Sequence, residues 1–156
     1  MYIPDMSEKE KFIYYFEMTN KLYRSMVYGL FLYPLFVAVA ESFQWDIFHY
    51  LNFETIKNMG VTFIVLSIVF FPLSYMTEPY FVRGCRDVEA LGKKLMYASI
   101  ANMALSETIT LFGLIVYITT ADLKFFYLFF IFSFIHLISI RPSRKKWQSR
   151  LDKISK

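Results

Sequence analysis

Residues 95–119 read LMYASIANMALSETITLFGLIVYIT, a stretch in which Glu107 is the single charged side chain. A helix needs about 20 apolar residues to cross the roughly 30 Å hydrocarbon core of a bilayer. This stretch is therefore long enough and apolar enough to span a membrane, and it decides the fold class.

Three further apolar segments, residues 26–43, 60–76 and 125–140, approach the same length. The 156-residue chain is 56% hydrophobic and 19% charged, with a mean hydropathy of +0.39, so little polar chain remains to cover four buried helices. We predict an all-α, polytopic membrane protein, in which residues 26–140 form four transmembrane helices arranged as two hairpins.

The distribution of Lys and Arg predicts the orientation of these spans. Of the 17 basic residues, all except Lys57 and Lys124 lie before the first span, between the second and third, or after the fourth. Short loops rich in Lys and Arg stay in the cytoplasm, so both termini should be cytoplasmic. On the outer side, the aromatic segment between Gln44 and Lys57 is predicted to form an interfacial re-entry helix.

The two ends of the chain have amphipathic patterns. In residues 1–25, Ser7 and Glu10 have the spacing of a capping box at the start of a helix. In the basic tail, residues 141–156, three apolar residues share one helical face: Trp147, Leu151 and Ile154. We expect both helices to lie on the inner membrane surface, where anionic lipids attract Lys and Arg, and we expect no nucleic-acid partner.

Glu107 is the strongest candidate functional residue. It lies about 12 residues, or roughly 18 Å, from the inner end of the third span. An acidic residue at such a depth is costly and by default functional. His136 is expected near the inner end of the fourth span, about 10 Å away in depth, which makes a direct pair with Glu107 unlikely to form.

Hydroxyl groups lie closer to Glu107 along the sequence. Thr110 and Ser106 are predicted to orient its carboxyl group, and Ser67 of the second span is a further expected hydrogen-bond partner. Two interpretations remain open: a proton- or cation-binding carboxylate, or a protonated Glu that joins two helices by hydrogen bonds.

The third span also carries a pattern of small residues, which let helix backbones approach closely. We predict a helix-packing seam, with the amide of Asn102 as an interhelical hydrogen-bonding group. The small residues of this seam are Ala98, Ala101, Ala104 and Gly113. Pro34 and Pro72 are expected to kink the first and second spans.

Residues 104–116, ALSETITLFGLIV, resemble the ion-carrying helix of the rotary ATPase c subunit, the proteolipid. In that family a Glu is followed by a small residue and then by an aliphatic-aromatic-Gly-Leu-Val-Val stretch. The resemblance implies that Glu107 binds a proton or sodium ion, and that the chain forms a homo-oligomeric ring. The preceding spans are bulky and aromatic instead of glycine-rich, so we take the resemblance as support for the chemistry of Glu107 alone.

The organisation is also similar to small four-span membrane proteins of bacteria, which places the protein in a bacterial cytoplasmic membrane. The first functional hypothesis is an oligomeric or complex-bound membrane subunit with Glu107 as its proton- or cation-binding group. The second is a non-catalytic accessory subunit in which Glu107 joins helices. A third is a lipid- or quinone-binding protein built on the aromatic spans.

The sequence contains no nucleophile-base motif, no phosphate-binding glycine loop and no His/Cys cluster with metal-ligand spacing. We therefore expect a protein that is not an enzyme and that binds neither a metal nor a cofactor. The expected partners are anionic lipids together with further copies of the chain or a larger membrane complex.

Overall fold

The computed structural model describes residues 6–43 and 53–154, and within these ranges the chain is α-helical with no β-strand. The predicted all-α class is confirmed. The segment expected to form a re-entry helix lies largely outside the described residues. The helices, in chain order, are α1 (Glu8–Leu30), α2 (Leu32–Ser42), α3 (Phe53–Val82), α4 (Val88–Thr120), α5 (Leu123–Ser139) and α6 (Arg144–Ile154).

Three helical segments are long and apolar enough to cross a membrane. The first consists of α1 and α2 together, the second is α3, and the third is α4. Helix α5 has 17 residues, or about 25 Å, and is slightly short for a span by itself. Together with α6, from which it is bent by 44°, it gives a possible fourth. The molecule therefore has the helices of an integral membrane protein.

The outer faces of these helices are apolar. Val65 and Ile68 of α3, and Ile131 and Ile135 of α5, each expose about half or more of their surface. Soluble proteins rarely expose such continuous apolar surface, whereas lipid chains cover it without cost. The exposed faces thus support the membrane assignment independently of helix length.

The first span is interrupted at Phe31, which separates α1 from α2. Pro34 explains the break, because it has no N–H to donate to the carbonyl of Leu30, one turn earlier. Pro72, in contrast, lies inside a helix that continues through it. No helix boundary lies near residue 25, since α1 continues from the N-terminal segment through this position to Leu30.

Helix α4 is the central element of the fold, and α1, α3 and α5 all pack on it. Two glycines permit the closest approaches: a Cβ at Gly113 would lie 2.7 Å from the Phe129 Cβ on α5, and one at Gly92 would lie 3.0 Å from the Tyr15 ring on α1. The predicted two-hairpin arrangement needs correction here. In the described part of the chain, the first two spans pack on α4 more than on each other.

One end of the bundle, which we call the basic end, consists of the first half of α1, the start of α4, and α6. Trp147 and Leu151 of α6 are buried against Phe12 of α1 and Leu91 of α4. The Phe12 and Trp147 ring centroids are 5.6 Å apart. The apolar residues of the two terminal helices therefore pack within the protein, where together they complete a core.

Polar contacts at the basic end fix the same helices. The capping box is confirmed, since the Ser7 hydroxyl accepts from the Glu10 N–H and the Glu10 carboxylate accepts from the Ser7 N–H. Lys11 pairs with Glu89 at 2.7 Å, which joins α1 to α4. Partly exposed ion pairs contribute up to about 1 kcal/mol each, so the apolar core accounts for most of the stability of this end.

Candidate functional site

The Glu107 carboxylate accepts a hydrogen bond from the Tyr33 hydroxyl, with an oxygen–oxygen distance of 2.9 Å. Tyr33 lies near the start of α2, and Glu107 lies in the middle of α4. Both side chains are half-buried. The hydrogen bond thus gives a carboxyl group at membrane depth a neutral partner, which lowers the cost of holding it there.

A cavity of about 170 Å³ adjoins this pair. Leu32, at its edge, exposes 64% of its surface, so the cavity reaches the outer, lipid-facing side of the bundle. Its walls come from α1, α2, α4 and α5, and are mostly apolar: Met26, Gly29, Leu30, Leu32, Tyr33, Ser106, Glu107 and Leu137. A small reactant can therefore approach Glu107 from the side of the bundle.

Behind the cavity wall is a buried polar cluster between α4 and α5. The Ser106 hydroxyl is 2.6 Å from Nδ1 of His136, and the Ser133 hydroxyl donates to the Ser106 carbonyl oxygen at 2.6 Å. His136 Nε2 has no hydrogen-bond partner of normal geometry in the described residues, although the Phe70 backbone lies beside the ring. These bonds join α4 and α5 at the level of Glu107.

The partners expected for Glu107 from the sequence need correction. The Ser106 hydroxyl is bound to His136, and Thr110 Oγ1 is buried without a partner among the described residues. The Ser67 hydroxyl donates to the Phe63 carbonyl of its own helix. The hydroxyl that donates to Glu107 comes instead from Tyr33 of α2.

The position expected for His136 is also wrong in depth. The sequence placed it about 10 Å from Glu107 along the membrane normal, whereas it contacts Ser106, the residue next to Glu107. Helices α4 and α5 are joined by a tight turn, in which Ala121 has a φ of 55°. This turn pairs Gly113 with Phe129, and hence Ser106 with His136, a register that counting from the inner ends of the spans missed.

The four small residues that were predicted to form one helix-packing seam lie in different surroundings. Ala98 is buried, Ala101 is half-buried, and Ala104 is exposed. Gly113 contacts α5 closely. The structure therefore does not bring these four residues together at one interface within the described chain.

Asn102 joins α4 to α3. Its side-chain carbonyl accepts from the Thr77 hydroxyl at 2.6 Å, and its amide donates to the Ser74 carbonyl oxygen at 3.1 Å. Both contacts lie in the membrane-spanning part of α3, close to Pro79. An amide with both groups bonded to one neighbouring helix is a packing device with little capacity left for a ligand.

A second tyrosine–glutamate pair connects the same two helices near their other ends. Here α4 supplies the tyrosine and α2 the glutamate: the Tyr117 hydroxyl donates to Glu41 at 2.8 Å. Tyr117 is buried, whereas Glu41 is exposed. Neither tyrosine was singled out from the sequence, because a Tyr within an apolar span has no distinctive pattern before the helices are paired.

The site offers proton chemistry more readily than metal chemistry. Residues 6–43 and 53–154 contain no group of three His, Cys, Asp or Glu side chains placed to hold a metal ion. The ionisable groups at mid-depth are Glu107, Tyr33 and His136. Each can accept or release a proton without further ligands.

Comparison of the chain with protein-family models, curated proteins and solved structures found no match.

Proposed function

We propose that the protein is a small integral membrane subunit in which Glu107 binds and releases a proton within the bilayer. The observation that carries this proposal is the Tyr33–Glu107 hydrogen bond beside a laterally open cavity. Tyr33 can donate to an oxygen of either the charged or the neutral carboxyl group, so protonation needs no rearrangement of the two helices. The resemblance of residues 104–116 to the c subunit supports the same role.

A proton is favoured over a metal cation by the number of ligands available. Hard cations such as Ca²⁺ take six to eight oxygen ligands. Among the described residues, the cavity has side-chain oxygens only from Glu107, Tyr33 and Ser106, and the Ser106 hydroxyl is already bonded to His136. A proton needs the carboxylate alone.

The small size of the cavity supports an oligomer or a larger membrane complex. A volume of about 170 Å³ at one side of a four-span bundle does not make a path across the membrane. The second half of such a path would come from another copy of the chain or from a larger complex. Both termini would lie in the cytoplasm, because the basic residues are concentrated before the first span, between the second and third, and after the fourth. The similarity to small four-span proteins of bacteria supports a bacterial cytoplasmic membrane.

A second candidate function is that of an accessory subunit in which Glu107 serves as an interhelical clamp. The Tyr117–Glu41 pair favours it, because the same chemistry connects the same two helices at a place where the carboxylate is exposed. If both pairs are clamps, the carboxylate of Glu107 has no role beyond holding α2 on α4.

Labelling with an apolar carbodiimide distinguishes the two functions, since the reagent needs a protonated carboxyl that it can reach from the lipid. The protein is reconstituted in phosphatidylcholine liposomes, labelled across a pH series and analysed by peptide mass spectrometry. We expect labelling of Glu107 that declines as the pH rises. Glu107→Gln gives the background, and Glu41→Gln is the matched control that should leave the Glu107 label unchanged.

Absence of label at Glu107 at every pH, with the helical content and elution volume of the folded protein retained, would support the clamp instead. Labelling that does not change with pH would also contradict proton exchange, because the carboxyl would then remain protonated throughout.

A further inference from the structure

Two adjoining cavities lie next to the basic end, where the middle and second half of α1 face the junction of α5 and α6. They have volumes of about 240 Å³ and 460 Å³ and share Asn20 and Arg141. The larger is lined by Ser143 and Arg144, and the smaller by Arg24. Helix α1, the link between α5 and α6, and the start of α6 thus bring Arg24, Arg141 and Arg144 to one continuous depression, which we call the arginine notch.

The arginines of the notch carry positive charge that no carboxylate of the described chain neutralises. Lys11 and Arg150 pair with Glu89 and Glu78, whereas Arg24, Arg141 and Arg144 form no ion pair within residues 6–43 and 53–154. Among the described residues, no Asp or Glu lines either cavity. All three side chains are exposed and therefore accessible to a ligand.

The notch has two chemically different ends. Near Arg141 and Arg144 it is polar, with Asn20 and Ser143 as additional hydrogen-bonding groups. The smaller cavity continues from there to Val27 and Tyr28, which lie at the start of the apolar first span, and Tyr28 exposes 75% of its surface. A ligand that fills the notch would need a phosphate-like anion next to an apolar part.

We propose that the arginine notch binds the phosphodiester headgroup of an anionic phospholipid, whose glycerol and first acyl carbons lie along Val27 and Tyr28. Guanidinium groups bind phosphate oxygens in a bidentate manner, and the amide of Asn20 adds a donor. The site is separate from Glu107 and stands whether or not that residue exchanges protons. A free phosphate ion shares the anionic chemistry but leaves the apolar end unoccupied.

Native mass spectrometry of protein released from nanodiscs of phosphatidylcholine and phosphatidylglycerol tests the proposal. The site variant is Arg24→Gln/Arg141→Gln/Arg144→Gln. The control is Arg83→Gln/Arg86→Gln/Lys153→Gln, which removes the same charge from exposed positions outside the notch at the same end. We expect the site variant to retain roughly tenfold less phosphatidylglycerol relative to phosphatidylcholine. The control should lose clearly less than the site variant, because its positions contribute only to the overall surface charge, which salt screens.

Equal losses in the two variants would overturn the proposal, because they would indicate attraction to the surface charge as a whole. No phosphatidylglycerol preference in the unsubstituted protein, together with binding of millimolar inorganic phosphate that the site variant loses, would overturn the lipid as the ligand and identify a free-phosphate site. If the triple variant fails to fold, Arg141→Lys decides the question. It keeps the charge but loses bidentate binding, so an undiminished lipid preference in that variant would contradict the notch.

Discussion

The two tyrosine–glutamate pairs between α2 and α4 have nearly the same geometry and opposite polarity. Tyr33 of α2 donates to Glu107 of α4 at 2.9 Å, and Tyr117 of α4 donates to Glu41 of α2 at 2.8 Å. The surroundings differ. Glu107 is half-buried beside a cavity in the middle of α4, whereas Glu41 is exposed at the end of α2.

This difference shows that the hydrogen bond alone does not determine the role of the carboxyl group. An exposed carboxylate such as Glu41 keeps part of its hydration, so its tyrosine mainly fixes the ends of two helices. At Glu107 the apolar walls replace water, and the Tyr33 hydroxyl is the one described group that compensates for lost hydration. The comparison therefore predicts unequal consequences when equivalent atoms are removed.

The largest effect should come from Gly113→Ala, which displaces α5 from α4, the helix that contributes to both pairs. The new Cβ would lie 2.7 Å from that of Phe129, so α4 and α5 must separate. Overpacking of this kind costs about 1–3 kcal/mol. We expect a lower thermal unfolding midpoint in detergent micelles and a weaker Ser106–His136 contact.

Gly29→Ala is the matched control, because a Cβ there meets no atom within 4 Å. It should leave the unfolding midpoint unchanged or raise it slightly. Equal destabilisation by the two substitutions would mean that helix flexibility, and not the α4–α5 contact, requires Gly113.

The next largest effect should come from removing the hydroxyl groups of the two tyrosines, one at a time. Tyr33→Phe removes the hydroxyl from the half-buried Glu107 and should destabilise the protein by about 1 kcal/mol, a typical value for an interhelical hydrogen bond in a membrane. Tyr117→Phe removes the same atom beside an exposed carboxylate, and should cost about half as much or less. Chemical denaturation in micelles measures both values.

A greater loss for Tyr117→Phe than for Tyr33→Phe would reverse this ranking. It would show that the Tyr117–Glu41 pair is the principal clamp, and that Glu107 obtains its stabilisation from another source.

The sequence was sufficient to predict the helices and to identify Glu107 as an unusual residue within a span. A long apolar stretch with one carboxylate is visible without any knowledge of packing, because span length and charge are local properties. The partner of Glu107 was not predictable, since Tyr33 is 74 residues away and becomes its neighbour only through the packing of the first span on α4. The central position of α4 depends on Gly92 and Gly113, whose neighbours are likewise distant in sequence.

The depth of His136 was predictable in principle. Counting from the turn at Ala121, instead of from the inner ends of the spans, places His136 opposite Ser106. The inner ends are a poor reference because α4 begins at Val88, well before the third span, whereas α5 stops at Ser139. Helix registers in a hairpin follow from the turn that joins the helices.

A smaller effect should result from filling the cavity beside Glu107. Gly29→Leu places a side chain at the cavity wall without an initial clash at Cβ. We expect carbodiimide labelling of Glu107 to fall several-fold while the unfolding midpoint changes little. Unchanged labelling would mean that the reagent reaches Glu107 by a different route, and that the cavity is not its entrance.

The smallest effect concerns a third hydrogen-bonded carboxylate, Glu10, which lies before the first span and is fully exposed. Hydrogen bonds from the Ser7 backbone N–H and then from its hydroxyl stabilise the charged form and lower the pKa of Glu10 below its ordinary value of 4.5. The resulting stabilisation of the α1 start is present above that ordinary value and is lost as the pH falls through the lowered pKa.

Ser7→Ala should shift the Glu10 titration, followed by carboxyl NMR, back toward the ordinary value because it removes the hydroxyl. The overall unfolding midpoint should barely move, since water already hydrates this carboxylate. A change at Glu10 as large as that caused by Tyr33→Phe would mean that burial does not control the strength of these contacts, and the contrast between Glu107 and Glu41 would then need another cause.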